Sequence, residues 1–253
     1  MKRVMIKVAY DGTGYHGFQA QRGLATIQGE LTRAVFLLTG EEVDIIGGSR
    51  TDAGVHSMGN IAVFDTDSRI EPANFSKALN TKLPGDIVVW CAKEVAGDFH
   101  PRRRASRKIY EYTVLNSEYD IPVYSRYSHH VRRKLDISAM EEAAKRFEGR
   151  HDFTSFCTLT NDTRDMDRVR TIFHAGTAMD EREESLLRFR VEGDGFLYNM
   201  VRIMAGTLIE TGLGRFTPDD ITRMIEGKDR RLAGHTAPAK GLCHMETIFL
   251  ESE

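Results

Sequence analysis

The chain has 253 residues, 41% of them hydrophobic and 28% charged, with a formal net charge of −2. That is enough apolar material for one large domain or two small ones, and it excludes a polycation, so any nucleic-acid partner has to be met by a local basic surface. Cys91, Cys157 and Cys243 are far apart and odd in number, which argues against a disulfide framework or a cysteine-based zinc site. The start, Met1-Lys2-Arg3, runs straight into a strand-like segment without an apolar leader. No stretch approaches the ~18 uninterrupted apolar residues of a membrane span. The expectation is a soluble, cytoplasmic protein with no membrane partner.

Arg3 to Ala9 is rich in Val and Ile and reads as a strand, followed by turn chemistry in Tyr10-Asp11-Gly12-Thr13-Gly14. Thr26 is placed to cap a helix whose apolar positions are Ile27, Leu31, Ala34, Val35 and Leu38, with Gly40 where a stop belongs. Val43 to Gly48 and Asn60 to Thr66 read as strands, with a loop from Arg50 to Gly59 between them. Pro72 opens a helix that runs to about Lys82. Pro84-Gly85-Asp86 is a turn, and Ile87 to Val95 a β-branched strand. The order β-α-β-β-α-β is the split βαβ, or ferredoxin-like, pattern.

The second half is less regular. Lys108 to Leu115 alternates like a strand, and Val123 to Val131 reads as another. Asp136 or Ser138 caps a helix bearing Met140, Ala143, Ala144 and Phe147 on one face. Val169 to Thr177 and Ser185 to Val191 read as paired strands. A helix follows from Tyr198 to Thr211, closed by Gly212. Thr217-Pro218-Asp219-Asp220 has the residues of a capped helix start, and Met245 to Leu250 is the closing strand. The expected fold class is α+β: two ferredoxin-like subdomains, 1–104 and 105–253, with the seam near Ala96 to Arg107.

Three features carry chemistry. Arg50-Thr51-Asp52-Ala53-Gly54-Val55-His56 places an acid between an arginine and a histidine in a loop joining two strands. A turn in which Asp52 only caps local N–H groups is an equally good reading of those residues alone. Gly193-Asp194-Gly195-Phe196-Leu197-Tyr198-Asn199-Met200-Val201-Arg202 opens a helix. Arg202 there lies among Val201, Ile203 and Met204, which points to a partly buried guanidinium in need of an anionic partner. A structural ion pair or a catalytic acid would each satisfy it. Finally, Arg102-Arg103-Arg104, Arg107-Lys108 and Arg132-Arg133-Lys134 alternate with Tyr110, Tyr112, Tyr124 and Tyr127. Cations neutralise phosphates and rings stack on unpaired bases, so this composition suits RNA. The nine histidines show no metal-binding spacing, and Gly12-x-Gly14 lacks the rest of a dinucleotide fingerprint. No metal, nucleotide or other cofactor is expected.

Six segments in order resemble the TruA-type tRNA pseudouridine synthases. They are Tyr10-Asp11-Gly12-Thr13-x-Tyr15-x-Gly17-Phe18-Gln19, Arg50 to His56, Phe99-His100-Pro101-Arg102 with Arg107-Lys108-x-Tyr110-x-Tyr112, His151-Asp152-Phe153-x-Ser155-Phe156, Gly193 to Arg202, and Ala237-Pro238-x-x-Gly241-Leu242. The resemblance implies antiparallel sheets joined around a central basic cleft, and a homodimer with tRNA contacting both subunits. It implies isomerisation of uridine to pseudouridine at positions 38, 39 and 40 of the anticodon stem-loop. It makes Asp52 the nucleophile, Tyr110 the ring that stacks on the target base and a candidate to take the C5 proton, Arg202 the partner of the nucleophile, and Arg50 a residue that helps extrude the base. It also places His56, Arg102, Arg107, Asn199 and Leu242 at the substrate. Ser49, Ser57, Asn60 and Pro101 depart from the family's usual glycine, alanine, glutamine and alanine. Rival readings are a non-catalytic RNA-binding protein, which needs the basic and aromatic residues but not Asp52 with Arg202, and a metal-dependent phosphodiesterase, which needs clustered ligands.

Overall fold

A computed structural model of the chain describes residues 1–160 and 167–250. They form a mixed α/β structure with ten strands and six α-helices among the described residues. The chain divides into two compact units. One is Met1–Ser106 joined by the chain from Cys243 onward, and the other is Arg107–Leu242.

The first unit contains β1 (Lys2–Tyr10), α1 (Ile27–Thr39), β2 (Ile46–Gly47), β3 (His56–Thr66), α2 (Phe75–Asn80), β4 (Ile87–Val95) and β10 (Leu242–Phe249). β1 lies antiparallel between β4 and β3, and β2 pairs antiparallel with β3. Alternation in β1 sends Val4, Ile6 and Val8 into the core, where they meet Ile27, Leu31 and Val35 of α1 and Phe75 and Leu79 of α2. α1 starts where Thr26 Oγ1 accepts from Gly29 N at 3.2 Å and ends at Gly40, which is left-handed with φ 74°.

β3 begins at His56, four residues before the strand expected from Asn60. The extension is paired on both sides: Cys243 and His244 of β10 run parallel to His56 and Ser57, and Tyr10 of β1 pairs with Ser57. The loop that carries Asp52 is correspondingly shorter. The Val43 to Gly48 strand contracts to the two residues of β2, and the helix from Pro72 opens as a 3-10 turn, Pro72–Asn74, before α2.

In the second unit β5 (Ser106–Leu115) pairs antiparallel with β9 (Leu186–Gly193), β9 with β8 (Val169–Met179), and β8 with β7 (Gly149–Asp152). α4 (Ile137–Lys145) is capped by Asp136, whose carboxylate accepts from Ala139 N at 3.0 Å, and packs on α5 (Met200–Gly212), α6 (Pro218–Gly227) and β8. The strand expected over Val123 to Val131 is instead a short helix, α3 (Pro122–Ser125), and a two-residue strand, β6 (His129–His130), parallel to β5. Proline at the first helical position won over the β-branched and aromatic composition of that run. Gly212 is the last residue of α5, and the left-handed turn follows at Gly214, φ 77°.

Candidate active site

The Asp52 loop is fastened from both sides by buried polar groups. Asn60, fully buried on β3, accepts from Ser49 N at 3.1 Å through Oδ1, while its Nδ2 donates to Ser49 O at 2.8 Å and to Tyr10 Oη at 3.2 Å. Tyr10 Oη and Thr51 Oγ1 share a bond of 2.7 Å. Thr51 O accepts from Phe18 N at 3.0 Å, and Gly54 N donates to Tyr15 O at 3.3 Å. Asp52 lies between these anchors with its side chain half-buried. Burial pushes the Tyr10 phenol up to about 12, against the pull of its bonds to Thr51 and Asn60. At neutral pH it is therefore a protonated strut and not a base.

The Tyr10 to Phe18 segment presses on the other end of the loop. A Cβ at Gly12 would stand 2.0 Å from Val55 O, so only glycine allows this approach. His56 is buried at the start of β3, its Nδ1 accepting from Gly12 N at 3.1 Å and lying 3.1 Å from Asp11 Oδ1. Exposed Arg50 and Arg102 line one pocket with Phe18, Gln28 and Asp44. Arg50, Asp52, His56 and Arg102 are thus all held by the first unit.

Tyr110, Arg202, Asn199 and Arg107 belong to the second, as does Leu242, the first residue of β10, whose remainder from Cys243 lies in the first. Tyr110 is buried on β5, its ring meeting Phe196 edge-on at 5.1 Å. Arg202 is half-buried near the start of α5: Nε donates to Ala237 O at 2.8 Å and Nη1 to Asn199 Oδ1 at 2.8 Å. Asn199 holds that carboxamide from a left-handed backbone, φ 61°, while its Nδ2 donates to Thr158 Oγ1 at 3.0 Å. Gly206 lets the backbone reach Arg202, because a Cβ there would lie 2.0 Å from His235 O. Two neutral acceptors, a backbone carbonyl and a carboxamide, therefore aim the guanidinium. Arg202 also tempers the upward pull that burial exerts on the Tyr112 phenol, which donates to Pro238 O at 2.8 Å. Leu242 is buried at the start of β10. Arg107 is engaged inside its unit, bonded to Glu192 at 3.0 Å and lying 4.6 Å over the Phe173 ring.

Tyr10, Asn60 and Gly12 had no role in the reading of the sequence beyond their place in a motif or a departure from one. Their bonds join residues 41 and 50 positions apart, and no local pattern announces such pairs. The mismatch at Asn60 was the available signal, since its carboxamide bonds the backbone of residue 49. Among the described residues no group of three or more His, Cys, Asp or Glu side chains is arranged to hold a metal ion, and no helix is long and apolar enough to cross a membrane.

A family model described as tRNA pseudouridine synthase matches residues 6–102 and 143–249. Asp52 and Arg202 fall inside the matched stretches, and Tyr110 between them. A "tRNA pseudouridine synthase A" of Acetivibrio thermocellus is 45% identical over 249 residues, covering 98% of this chain and all of the relative. Those of Ruminiclostridium cellulolyticum and Shouchella clausii are each 43% identical, over 98% of this chain and 100% and 94% of their own lengths. The chain belongs to the tRNA pseudouridine synthase family.

Proposed function

We propose that this protein isomerises uridine to pseudouridine in tRNA, at positions 38, 39 and 40 of the anticodon stem-loop, acting in the cytoplasm as a homodimer. One observation carries the reading: a half-buried carboxylate, Asp52, on a loop immobilised by Asn60, Tyr10 and the Gly12 approach. Such rigidity suits a nucleophile that has to meet one atom of an extruded nucleotide. The β-α-β-β-α-β order of the first unit, with strand order β4-β1-β3-β2, supports a ferredoxin-like description of it. The proposed subdomains are 1–104, which carries the nucleophile loop, and 105–253, which completes the active site.

The reaction breaks the N1–C1′ bond, turns the uracil, joins C5 to C1′ and releases the C5 proton. Nothing is oxidised or hydrolysed, so the balance closes without a cofactor. In this reading Asp52 is the nucleophile, and Arg202, aimed by Ala237 O and Asn199, favours its ionised form. Tyr110 stacks on the extruded base, offsetting part of the few kcal/mol that unstacking costs. Arg50 assists extrusion, and His56, Arg102, Arg107, Asn199 and Leu242 contribute to substrate binding.

The test is tritium release from tRNA carrying 5-tritiated uridine. Asp52→Asn should abolish release and leave tRNA affinity within about threefold. Arg202→Gln should lower single-turnover rates by ~10²-fold or more. Turnover retained by Asp52→Asn would falsify the nucleophile assignment.

A further inference from the structure

The pocket beside the Asp52 loop has its own charge logic. Its lining includes Phe18, Gln28 and Ile45, and its charges are Arg50, Arg102 and Asp44. The wall is stiff. Phe18 and Ile45 are buried to 2% and 1% exposure, while Gln28 Oε1 accepts from Ala20 N at 2.8 Å and its Nε2 donates to Ile45 O at 2.9 Å. Elsewhere arginines are neutralised: Arg3 holds Asp65, Arg33 holds Glu30, and Arg188 holds Asp180 and Glu111. Among the described residues neither Arg50 nor Arg102 forms an ion pair. Partial burial disfavours the Arg102 cation, and so, next, does the nearby charge of Arg50. Two neighbouring guanidinium groups, neither in an ion pair, are relieved by an anion from outside. Asp44 on the same lining cancels one of the two positive charges, so the excess matches a singly charged group.

We infer that this pocket holds one backbone phosphodiester of the RNA close to the target nucleotide. Arg50 and Arg102 take the non-bridging oxygens, and Asp44 turns away doubly charged phosphate monoesters. The inference rests on the reading of the chain as a tRNA-modifying enzyme and adds a fixed grip on the backbone next to the reacting carboxylate. A guanidinium suits this better than an ammonium, because its planar fork matches two phosphate oxygens.

Single methylphosphonates, which remove one phosphate charge, are walked through an anticodon stem-loop RNA, and binding to the full-length protein is read by fluorescence anisotropy. In the wild type one position near the target should weaken binding about tenfold. The same position should cost Arg102→Gln less than about twofold, and that variant should lower the slope of log affinity against log salt by about 1. Asp44→Asn should let inorganic phosphate compete at roughly tenfold lower concentration, since the excess charge rises to two. All three side chains are exposed, so thermal melts should show the variants folded. A methylphosphonate penalty equal in Arg102→Gln and wild type at every position overturns the phosphodiester site. Unchanged phosphate competition in Asp44→Asn overturns the role given to Asp44. Pseudouridine formation by the wild type on the unmodified RNA is measured alongside: its absence refutes the enzymatic reading, whereas equal penalties with turnover intact refute this pocket alone.

Discussion

Asp52 owes its setting to buried side chains that hold its loop. Tyr10 Oη is buried against Thr51 Oγ1 and Asn60 Nδ2. Tyr10→Phe therefore strands two buried partners and should cost about 1–3 kcal/mol in urea denaturation, with the m-value unchanged. Ser49 is the opposite case. Its Oγ is buried without a hydrogen-bond partner, although its backbone is held by Asn60. Ser49→Ala should stabilise the protein by about 1 kcal/mol in the same titration. A fall in stability there would show that the hydroxyl is satisfied in solution. The catalytic candidates were legible at this scale because residue type announces chemistry: an acid between Arg50 and His56, and a guanidinium among apolar neighbours at 202. What holds them was not, because a buried tyrosine hydroxyl reads from sequence as a turn-flanking aromatic.

Elements whose ends are set by neighbouring residues were readable. Thr26 before α1, Asp136 before α4 and Thr217-Pro218 before α6 all stand where helices begin. Asp220 accepts from the Thr217 amide at 2.8 Å, as its place three residues into the helix requires. Thr26→Ala should cost about 1 kcal/mol by loss of the bond to Gly29 N, with Thr26→Ser restoring most of it in thermal melts. Elements set by remote partners were misjudged. β3 starts four residues early, where β10 and Tyr10 of β1 both pair with it, and β6 keeps only the two residues that pair with Val114 and Leu115. Period-2 alternation records which face is buried and says nothing about where a partner strand ends.

The net charge of −2 conceals an uneven distribution, and the second unit shows one result. His129 is half-buried, and burial first, then the neighbouring charges of His235, Lys240 and His130, push it down to about 4. Glu210 of the same unit also faces His235, 3.1 Å from its Nδ1. A folded value below the ordinary 6.5 means that the fold favours neutral His129. Its contribution is complete above about pH 6.5 and is lost as the pH falls towards 4, because the unfolded chain then binds the proton first. Stability measured by chemical denaturation should fall across that window. His129→Gln should reduce the fall by on the order of 1 kcal/mol. An identical slope in the variant would assign the acid sensitivity to other groups.

The pairing of β10 with β3 has a consequence for synthesis. The first unit is built from residues up to Ser106 and from Cys243 onward, so the ribosome makes its last strand only after the whole of the second unit. At ~5–20 residues per second this leaves the edge of β3 at His56 and Ser57 uncovered for roughly 7–30 s. Exposed strand edges recruit other chains. During that interval the nascent protein presents an open edge next to the loop that carries Asp52, and the arrival of β10 both closes the edge and seats the fully buried His244 against Ser57. Completion of β3 is thereby tied to synthesis of the chain that follows the second unit.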